Sequence, residues 1–553
     1  MLLLAWVLVA PRTPDLAAAA YRVDLFKHIG LGLYDEHWYA GHDLPGYSVL
    51  FPPLAWLLGL RLVGALSVLV SVLCFERIAA QAFGAPARWA SIAFAAAAVG
   101  DVWIGRLTFA LGVSFALAAV LALMRARSAP AFALALLCAA ASPVAGALLG
   151  LAALTDSLWR RSLRPLLALA VPAAVVVIAL ALLFPEGGFE PYPATSFVAT
   201  VLVLVAFAWA VPRRYGELRL GAAIYLLACV VFLFVRSPMG SNIERYGVLL
   251  AGPLTICMLG ASRHGRERLS GSEPRGEQGI ESSPLAHPPL DRSPLAHPPL
   301  DRSPRVLFGA GGALAGAVAL VVWALWAGWG PLRETLAVAH DQSTSAAYYA
   351  PVERFLDAHA RTPVRLEVPL TRSHWETAEL APRVSLARGW EKQLDTRYDG
   401  VLLSGSLTAA SYARWLREQA VSYVALPDAK LDPSSSREGE LIRVGLPYLH
   451  EVFSSRHWRI YAVASPTPIA SGPGRLVSLG HDSFALAARS RGSFLVRVHY
   501  TRYWTLSHGQ GCVGPAAGGW TRVLAGAPGR IVVRARFSFS RALGETGSCG
   551  AGG

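Results

Sequence analysis

A succession of long apolar stretches constrains this sequence more than any other feature. A helix rises 1.5 Å per residue, so it needs about 20 apolar residues to cross hydrocarbon roughly 30 Å thick. Such stretches occur at 60–80, 89–104, 106–124, 165–184, 196–211, 219–235, 244–261 and 306–329. Only 16% of the residues are charged, which excludes a disordered chain, a coiled coil and an ordinary soluble enzyme. The sequence therefore predicts a polytopic α-helical membrane protein.

Two further apolar segments affect the number of spans. The stretch from Leu2 to Ala10 is too short to cross a membrane alone, so either residues upstream are missing or the helix is a remnant. A cleaved signal peptide is disfavoured, because no basic residues precede the stretch. Segment 130–155 is too long for one helix and is interrupted at Ser142-Pro143, which predicts a hairpin of two short helices. With these segments we expect about eleven spans within 1–261 and 306–329.

The distribution of arginine predicts the orientation in the membrane. The formal net charge is +14, and Lys27, Lys392 and Lys430 are the only lysines. Arginines fall on alternate connections between the apolar stretches, whereas connections such as 185–195 are acidic or short. The positive-inside rule then places the N-terminus in the cytoplasm and the long C-terminal region outside the cell membrane. This pattern favours membrane topology over nucleic-acid binding as the reason for the positive charge.

Residues 262–305 predict a disordered cytoplasmic linker. They are rich in Pro, Ser, Glu and Arg, and they contain the decapeptide SPLAHPPLDR twice, at 283–292 and 293–302. Two copies are too few for a solenoid, and the proline content opposes a helix. His287 and His297 are better explained by duplication in a disordered loop than by a metal site.

Two regions are expected outside the membrane, and the first is the loop 11–59. A loop of this length is usually functional or disordered, and its many aromatic residues require burial. Residues 21–39 predict an amphipathic helix that lies in the membrane interface, where Trp and Tyr are favoured. Gly41 and Pro45-Gly46 then end this helix, and Pro52-Pro53 starts a short helix that leads into the next span.

The second region follows the last apolar stretch and divides into two units. Residues 330–457 predict an α/β domain, with helices at 347–361 and 408–420 and strands at 363–370 and 421–426. Residues 458–553 alternate with period two between Gly- and Pro-containing turns, which predicts a small β-sandwich. Cys512 and Cys549 could form a disulfide if this region is extracytoplasmic.

The acidic residues of the first loop are the first candidates for catalysis. Asp24, Asp35 and Glu36 are the predicted catalytic residues, because a carboxylate can act as a general base or hold a divalent ion. Asp24 and His28 are four residues apart and can meet on one helix face, whereas Asp35 and Glu36 cannot. The alternative is that these charges only keep an interfacial helix solvated. His28, Trp38 and His42 are the predicted substrate-binding residues of this loop.

Polar residues at the outer ends of the spans form a second candidate set. Arg106 and Arg245 are predicted to bind phosphate, because a guanidinium binds phosphate with two hydrogen bonds and stays charged. Asn242 lies in the same loop as Arg245, and Glu186 lies beside two glycines that would let a backbone approach a ligand. The alternatives are snorkelling or pairing with Asp101 or Glu244 for the arginines, and a plain turn for Glu186.

Several common metal-binding, nucleotide-binding and catalytic motifs are absent from the sequence. It contains no CxxC, no GxGxxG in a Rossmann context, no Walker A sequence and no HExxH. The cofactor therefore stays unknown; a divalent metal ion is compatible with the acids, and nothing in the sequence requires one. Acidic residues are nearly absent from the spans, which disfavours a proton-coupled carrier.

The overall arrangement resembles the GT-C membrane glycosyltransferases. The resemblance rests on a short cytoplasmic start, a long first outer loop with an acid soon after span one, about eleven spans and a C-terminal outer domain. Segments such as WYAGHDLPGYSVLFPPLAWLLG and SPMGSNIERYGVLLAGPL look like a group of actinobacterial membrane proteins. The tail WRIYAVASPTPI and SFLVRVHYTRYWTL is similar to the outer domain of YfhO-like membrane proteins, which are themselves GT-C-like.

This resemblance implies an activity and partners. GT-C enzymes transfer a sugar from a polyprenyl-phosphate donor to an acceptor outside the cytoplasm, and their key acid lies in the first outer loop. Asp24 is the best match by position, with Asp35 and Glu36 as the alternative pair. The implied partners are a lipid-linked sugar donor, membrane lipid and an envelope glycan or lipid acceptor. A non-catalytic transporter and an envelope scaffold protein remain the alternative functions.

Overall fold

The computed structural model describes residues 1–270, 310–542 and Cys549. Residues 271–305 of the predicted linker, with both decapeptide repeats and both of their histidines, lie outside the described residues. The described chain forms a helical bundle, an α/β unit and a β-sandwich, in that order.

The bundle contains the helices of the N-terminal half and one more from the far side of the linker. They are α1 (Leu2–Val9), α2 (Pro14–Ile29), α3 (Phe51–Leu58), α4 (Leu60–Phe83), α5 (Ala87–Ile104), α6 (Leu107–Met124), α7 (Ser128–Ala141), α8 (Pro143–Arg160), α9 (Val171–Leu183), α10 (Ala194–Ala210), α11 (Gly216–Phe234), α12 (Glu244–Ser270) and α13 (Ala310–Val338). A π-helical turn, Leu166–Ala170, precedes α9, and a 3-10 turn, Gly240–Ile243, precedes α12.

Seven helical segments in the described residues are long and apolar enough to cross a membrane, and the bent pair α1–α2 would make eight if it is one span. Many of their large apolar side chains, among them Leu69 and Leu202, are exposed. In a water-soluble bundle such side chains would be buried, so their exposure is consistent with lipid as the solvent around them. The apolar stretches of the sequence therefore correspond to helices at the expected places.

The predicted hairpin is confirmed as two helices that meet at Ser142. The hydroxyl of Ser142 accepts a hydrogen bond from the backbone N–H of Ala145 at 3.3 Å, which caps the start of α8. Pro143 occupies the first position of α8, where the missing N–H costs no intrahelical bond. The Ser-Pro pair ends one helix and begins the next for these two reasons.

The last bundle helix extends further than the sequence suggested. The apolar stretch was expected at 306–329, with the C-terminal domain beginning at residue 330, whereas α13 continues to Val338. Pro331 lies inside it, and Arg333 and Glu334 pair on its surface. A helix that leaves an apolar layer keeps its backbone hydrogen bonds by continuing with polar residues, so hydropathy alone underestimates its length.

The first loop differs most from its prediction. Residues 21–39 were expected to form an interfacial helix, but α2 ends at Ile29 and a two-stranded hairpin follows, β1 (Tyr34–Asp35) with β2 (His42–Asp43). Trp38 and Tyr39 between these strands are fully buried. The Trp38 indole donates to the carbonyl of Thr377 at 2.8 Å, and the C-terminal region therefore covers the aromatic residues that the prediction had placed among lipid headgroups.

The α/β unit is built on one five-stranded sheet. Its elements are α14 (Ala346–His359), β3 (Arg365–Glu367), α15 (Glu376–Glu379), β4 (Ser385–Leu386), α16 (Lys392–Tyr398), α17 (Gly400–Leu403), α18 (Ala409–Glu418), β5 (Tyr423–Pro427), α19 (Ser436–Val444), β6 (Leu449–Ser454) and β7 (Trp458–Val463). The strand order is β4-β3-β5-β7-β6, with β3 parallel to β4 and β5. Strand β7 pairs with β5 and β6, so the segment from Trp458 belongs to this sheet and the sandwich begins later than residue 458.

The β-sandwich has two antiparallel four-stranded sheets. Its strands are β8 (Ala470–Ser471), β9 (Gly474–Gly480), β10 (Ser483–Ala488), β11 (Gly492–His499), β12 (Trp504–His508), β13 (Gly511–Pro515), β14 (Trp520–Ala525) and β15 (Gly529–Ala535), followed by the short helix α20 (Phe539–Ala542). The sheet orders are β12-β15-β10-β9 and β13-β14-β11-β8. Cys512 on β13 forms a disulfide with Cys549.

The first loop connects the three units. Tyr21 and Trp38 belong to the apolar core of the α/β unit, and Tyr34 belongs to the core of the sandwich. The Tyr34 hydroxyl donates to the carbonyl of His499 on β11 at 2.6 Å. Residues of one sequence segment thus complete two other cores, which fixes the end of the bundle against the C-terminal units.

Candidate functional site

The start of α2 is held between the bundle and the α/β unit. Arg12 stacks on the ring of Trp375 at 3.5 Å and pairs with Glu379, while Thr13 donates from its hydroxyl to the carbonyl of Trp103 at 3.0 Å. Gly105, with a φ of +104°, lies so close that a Cβ there would be 2.3 Å from the backbone nitrogen of Leu16. A larger residue at position 105 would both strain the backbone and displace the start of α2.

This arrangement brings Asp15 to a polar cluster at the end of the bundle that faces the C-terminal units. The Arg106 guanidinium contacts the Asp15 carboxylate at 3.4 Å and the Asp101 carboxylate at 3.3 Å. Asp101 is buried, with 4% of its side chain exposed, whereas Asp15 is 35% exposed. One arginine therefore links a sealed carboxylate to an accessible carboxylate.

Arg245 adds a second guanidinium to this cluster. It lies in the first turn of α12, 5.0 Å from the Phe109 ring centroid, and is close enough to Arg106, Asp101 and Asp15 to interact with them electrostatically. The side-chain oxygen of Asn242 accepts one of its hydrogen bonds. Among the described residues Arg245 forms no ion pair, and its Nε has no hydrogen-bond partner. Donors at a helix N-terminus and an arginine without a carboxylate partner suit an anion.

An apolar cavity of about 100 Å³ lies next to this cluster. It is bounded by α5, α6, α8 and α12, and Phe109, which Arg245 contacts, forms part of its wall. Tyr246, Leu249 and Leu250 continue the wall along α12. A smaller neighbouring cavity shares Val113 and Leu249 with it and reaches Asp101, so an apolar space and the charged cluster adjoin each other.

Asp35, one of the predicted catalytic acids, lies in a separate and sealed network. Its carboxylate accepts hydrogen bonds from the Tyr21 hydroxyl at 2.7 Å, the His37 backbone N–H at 3.1 Å and the His481 ring at 2.9 Å. Burial would raise the pKa of Asp35, but the hydrogen bond and charge of His481 hold it at about 2. A carboxylate with three donors and no exposed surface is a structural anion.

Glu36 lies beside Asp35 and is equally sealed. Its carboxylate accepts from Arg365, which is itself fully buried, and from the Ser385 hydroxyl at 2.9 Å. Burial raises the pKa of Glu36 to about 7, although Arg365 opposes the shift. These contacts join the first loop to strands β3 and β4, so Glu36 holds the first loop against the α/β unit.

Asp24 and His28 occupy the other side of α2. Nine residues separate Asp24 from Asp15, which corresponds to about half a turn of rotation and places the two carboxylates on opposite faces. Asp24 is 43% exposed and lies 3.6 Å from the His28 ring, which is 55% exposed. The geometry therefore does not bring Asp24, Asp35 or Glu36 to the cluster that contains Arg106 and Arg245.

The other predicted binding residues lie either in the buried contact between the first loop and the C-terminal units or in the cluster. Trp38 is packed between Tyr21 and His42, and His42 is 2% exposed. Glu186 accepts a hydrogen bond from the Asp43 backbone N–H, and burial together with the Asp43 charge raises the pKa of Glu186 well above its usual value. Of the predicted binding residues, Arg106, Asn242 and Arg245 form the cluster.

Asp15 is the residue that sequence reasoning missed. The signal is present, because Thr13-Pro14-Asp15 carries an N-cap residue, a proline at the first helical position and an acid in the first turn. The interpretation that assigned residues 11–20 to a loop obscured this helix start. No group of three or more His, Cys, Asp or Glu that could hold a metal ion occurs within the described part of the chain.

Comparisons with known proteins find a distant similarity among solved structures. No family model matches the chain, and no curated protein matches it. Among solved structures, a single-particle cryo-EM structure of the arabinofuranosyltransferase AftD from mycobacteria is similar, with 19% sequence identity and a TM-score of 0.40. The alignment covers 82% of this chain and 39% of that chain, so this chain spans about two fifths of the neighbour's length. At this similarity neither a fold nor an activity is transferred.

Proposed function

We propose that this protein is a membrane glycosyltransferase that transfers a sugar from a polyprenyl-phosphate donor to an extracytoplasmic acceptor. The observation that carries the proposal is the position of Asp15, Arg106 and Arg245 beside an apolar cavity. A lipid-linked sugar has the matching parts: an apolar chain, a phosphate and a reactive anomeric carbon.

The cluster assigns each group a role in the reaction. The Asp15 carboxylate takes the proton of the acceptor hydroxyl as its oxygen forms a bond to the anomeric carbon. The bond between that carbon and the phosphate oxygen breaks, and the lipid phosphate leaves with the electron pair. Arg245 and Arg106 stabilise the departing phosphate, and Asp101 fixes Arg106. Attack opposite the leaving group inverts the configuration at that carbon.

The membrane topology belongs to the same proposal. In this proposal, the seven candidate spans, α1 as part of a first span, the two hairpin helices α7 and α8 and the shorter helix α10 are the eleven expected spans. Arginine-rich connections then face the cytoplasm, and the cluster and the C-terminal units lie outside the plasma membrane. The acceptor is an envelope glycan or lipid, which can approach the cluster only from that side.

The test compares two aspartates of the same helix. The full chain and the variants Asp15→Asn and Asp24→Asn are purified in lipid nanodiscs and incubated with polyprenyl-phosphate pentose and hexose donors and an alkyl glycoside acceptor. Loss of a general base lowers the rate about 10²–10⁴-fold, so Asp15→Asn is expected to lose transfer by this factor. Asp24→Asn is expected to keep the wild-type rate, since its carboxylate lies on the opposite face of α2.

Several results would contradict the proposal. Wild-type transfer by Asp15→Asn would remove Asp15 as the base. In liposomes that contain the protein, movement of the lipid donor across the bilayer without any covalent change would favour the transporter alternative. Binding of envelope partners by the C-terminal units, with neither transfer nor flux, would favour the scaffold alternative.

A further inference from the structure

A row of four aromatic rings leads from the end of α9 onto the β-sandwich. The Phe184 ring centroid lies 5.3 Å from that of Tyr503, and the Tyr503 centroid lies 5.6 Å from that of Phe537. The Phe539 ring follows at 5.0 Å from Phe537. The Tyr503 hydroxyl also donates to the Leu183 carbonyl at 2.8 Å. The candidate span that ends with α9 and the last segment of the sandwich are therefore in direct contact.

The two halves of this aromatic row differ in their exposure. Phe184 and Tyr503 are buried, whereas Phe537 is 42% exposed and Phe539 is 77% exposed. Single exposed apolar residues are common on soluble proteins, but neighbouring exposed phenylalanines that continue a buried apolar cluster mark a contact surface. The row thus begins inside the protein and ends on its surface.

The neighbours of Tyr503 show at which level of the bundle this surface lies. Tyr503 packs in an apolar cluster with Leu180 and Leu183, which are about 4.5 Å apart along the helix axis. Leu182, in the same turn, is 67% exposed. Residues 166–183 are the most apolar candidate span in the described part of the chain, so lipid is the expected surrounding of Leu182. The sandwich therefore reaches the last turn of a candidate span.

The charge of the sandwich is the second observation. Residues 483–544 contain nine arginines and no Asp, Glu or Lys. Arg536 is exposed and directly precedes Phe537, and Arg502 donates to the carbonyl of Ala542 in α20 at 3.1 Å. A guanidinium binds phosphate with two hydrogen bonds, and apolar rings beside basic groups suit the boundary between lipid headgroups and acyl chains. Rings and arginines together match the chemistry of an anionic lipid surface.

We propose that Phe537 and Phe539 insert at the headgroup boundary of an anionic bilayer, with the neighbouring arginines on lipid phosphates, so that the sandwich is seated on the membrane. The patch continues the lipid-facing surface of α9, which supports a bilayer as its occupant. A second copy of this chain is disfavoured, because a symmetric contact would place two basic surfaces against each other. This inference does not depend on the proposed sugar transfer.

The test places a fluorescent reporter beside the rings of the full chain. Of the free cysteines in the described chain only Cys74 is not buried, so Ser540→Cys is labelled with the fluorophore NBD in a Cys74→Ala background. The protein is reconstituted into liposomes of phosphatidylcholine and phosphatidylglycerol, some of which carry a nitroxide near the headgroup end of the acyl chain. We expect the nitroxide lipid to lower the NBD emission about twofold, because an inserted patch lies at that depth.

A matched reporter is placed at the other end of the same sheet. Ser490→Cys lies in the turn after β10, which begins at Ser483 opposite Arg534 and ends at Ala488 opposite Gly529. Five residues of a strand span about 17 Å, so this turn is remote from the rings. We expect nitroxide lipid to leave its emission unchanged. Equal quenching of the two reporters would mean that the label itself enters the bilayer, and would overturn the proposal.

Side-chain variants of the reporter at position 540 test which groups hold the patch. Phe539→Ser removes the more exposed ring and is expected to lower the ratio of inserted to free patch about tenfold, with most of the quenching lost. Val477→Ser removes a side chain that is 41% exposed on β9 and is expected to keep the quenching. Arg536→Gln is expected to lower the same ratio about fivefold in anionic liposomes and to change little in pure phosphatidylcholine.

Three outcomes would overturn the proposal. The first is a reporter at position 540 that nitroxide lipid does not quench. The second is quenching that persists in both Phe539→Ser and Arg536→Gln. The third is a reporter that is protected from aqueous iodide but not quenched by lipid, which would assign the patch to a protein partner such as a second copy. No sugar donor enters these measurements, so their result is separate from the success or failure of the glycosyltransferase proposal.

Discussion

Three acidic residues within the first 36 positions, Asp35 and Glu36 on one side and Asp15 on the other, lie in opposite chemical settings. Asp35 has three hydrogen-bond donors and Glu36 has a buried arginine, and neither side chain is accessible. Asp15 shares one arginine with Asp101, is partly exposed and adjoins an apolar cavity through its neighbours. Asp35 and Glu36 stabilise the contact between the first loop and the C-terminal units, whereas Asp15 can still exchange its ion-pair partner for a ligand. The comparison shows that accessibility separates the two settings: Asp35 and Glu36 are sealed, even though Glu36 Oε2 has no hydrogen-bond partner among the described residues, whereas Asp15 is open to a ligand.

After the loss of rate expected for Asp15→Asn, the largest expected effect on the rate concerns Arg245, which forms no ion pair among the described residues. Arg245→Ala removes the donor that would stabilise the departing phosphate, and a preorganised donor of this kind contributes about 10²–10³-fold to a rate. We expect the transfer rate to fall by this factor while the thermal midpoint stays close to wild type, measured in the same nanodiscs. A large loss of stability instead of rate would place Arg245 with the structural group.

The structural group is tested through stability. Arg365→Met leaves the Glu36 carboxyl buried without its cation, and breaking a buried pair in this way costs about 3–5 kcal/mol. We expect a strongly lowered thermal midpoint, with the rate per folded molecule unchanged. The double variant Arg365→Met with Glu36→Gln is expected to recover much of the loss, because no buried charge remains. Failure to recover would show that Arg365 acts instead through the hydrogen bonds that it donates to the Ser385 hydroxyl at 3.0 Å and to the Gln419 carbonyl at 2.7 Å.

The cavity next to the cluster is tested by filling it. Ala116 lines the cavity, so Ala116→Phe should reduce the space for an apolar chain. Overpacked sites typically lose about 1–3 kcal/mol, and we therefore expect kcat/KM for a long polyprenyl donor to fall about tenfold. A donor with a short prenyl chain should be affected less. Ala133→Phe places the same ring on an exposed part of α7 and serves as the control. Equal effects of the two substitutions would remove the cavity from the donor site.

The smallest expected effect is a pH dependence of the thermal midpoint, caused by Asp43 in the contact between the first loop and the C-terminal units. Burial raises the pKa of Asp43 from 3.8 to about 7, against the opposing hydrogen bond from Thr501 and the charges of Arg502 and Arg397. A raised pKa contributes stability below the unfolded value, and this stability is lost as the pH rises through the folded value. Asp43→Asn should therefore match wild type near pH 4 and have a thermal midpoint a few degrees higher than wild type at pH 8. A variant that is less stable at pH 8 would reverse the sign of this interpretation.

Much of the fold could be predicted from sequence, because hydropathy and proline positions depend on local physics. The spans, the Ser142-Pro143 break and the period-two strands follow from residues that are close together in the chain. The burial of Trp38 and Tyr39 could not be predicted, because it depends on Thr377 and Asp395, more than 300 residues away. The contact between Asp15 and Arg106 could not be predicted for a similar reason, because the two residues are 91 positions apart in the chain. Only the contacts of Arg106 and Gly105 show which face of α2 meets the cluster.

Gly105 has a consequence for how this protein can vary. The backbone of α2 passes so close to position 105 that any side chain there would displace the backbone that carries Asp15, the partner of Arg106. The absence of a side chain at Gly105 thus allows the Asp15 carboxylate and the Arg106 guanidinium to meet. A chain that replaced this glycine could keep every span and both outer units and still lose the alignment on which the proposed reaction depends.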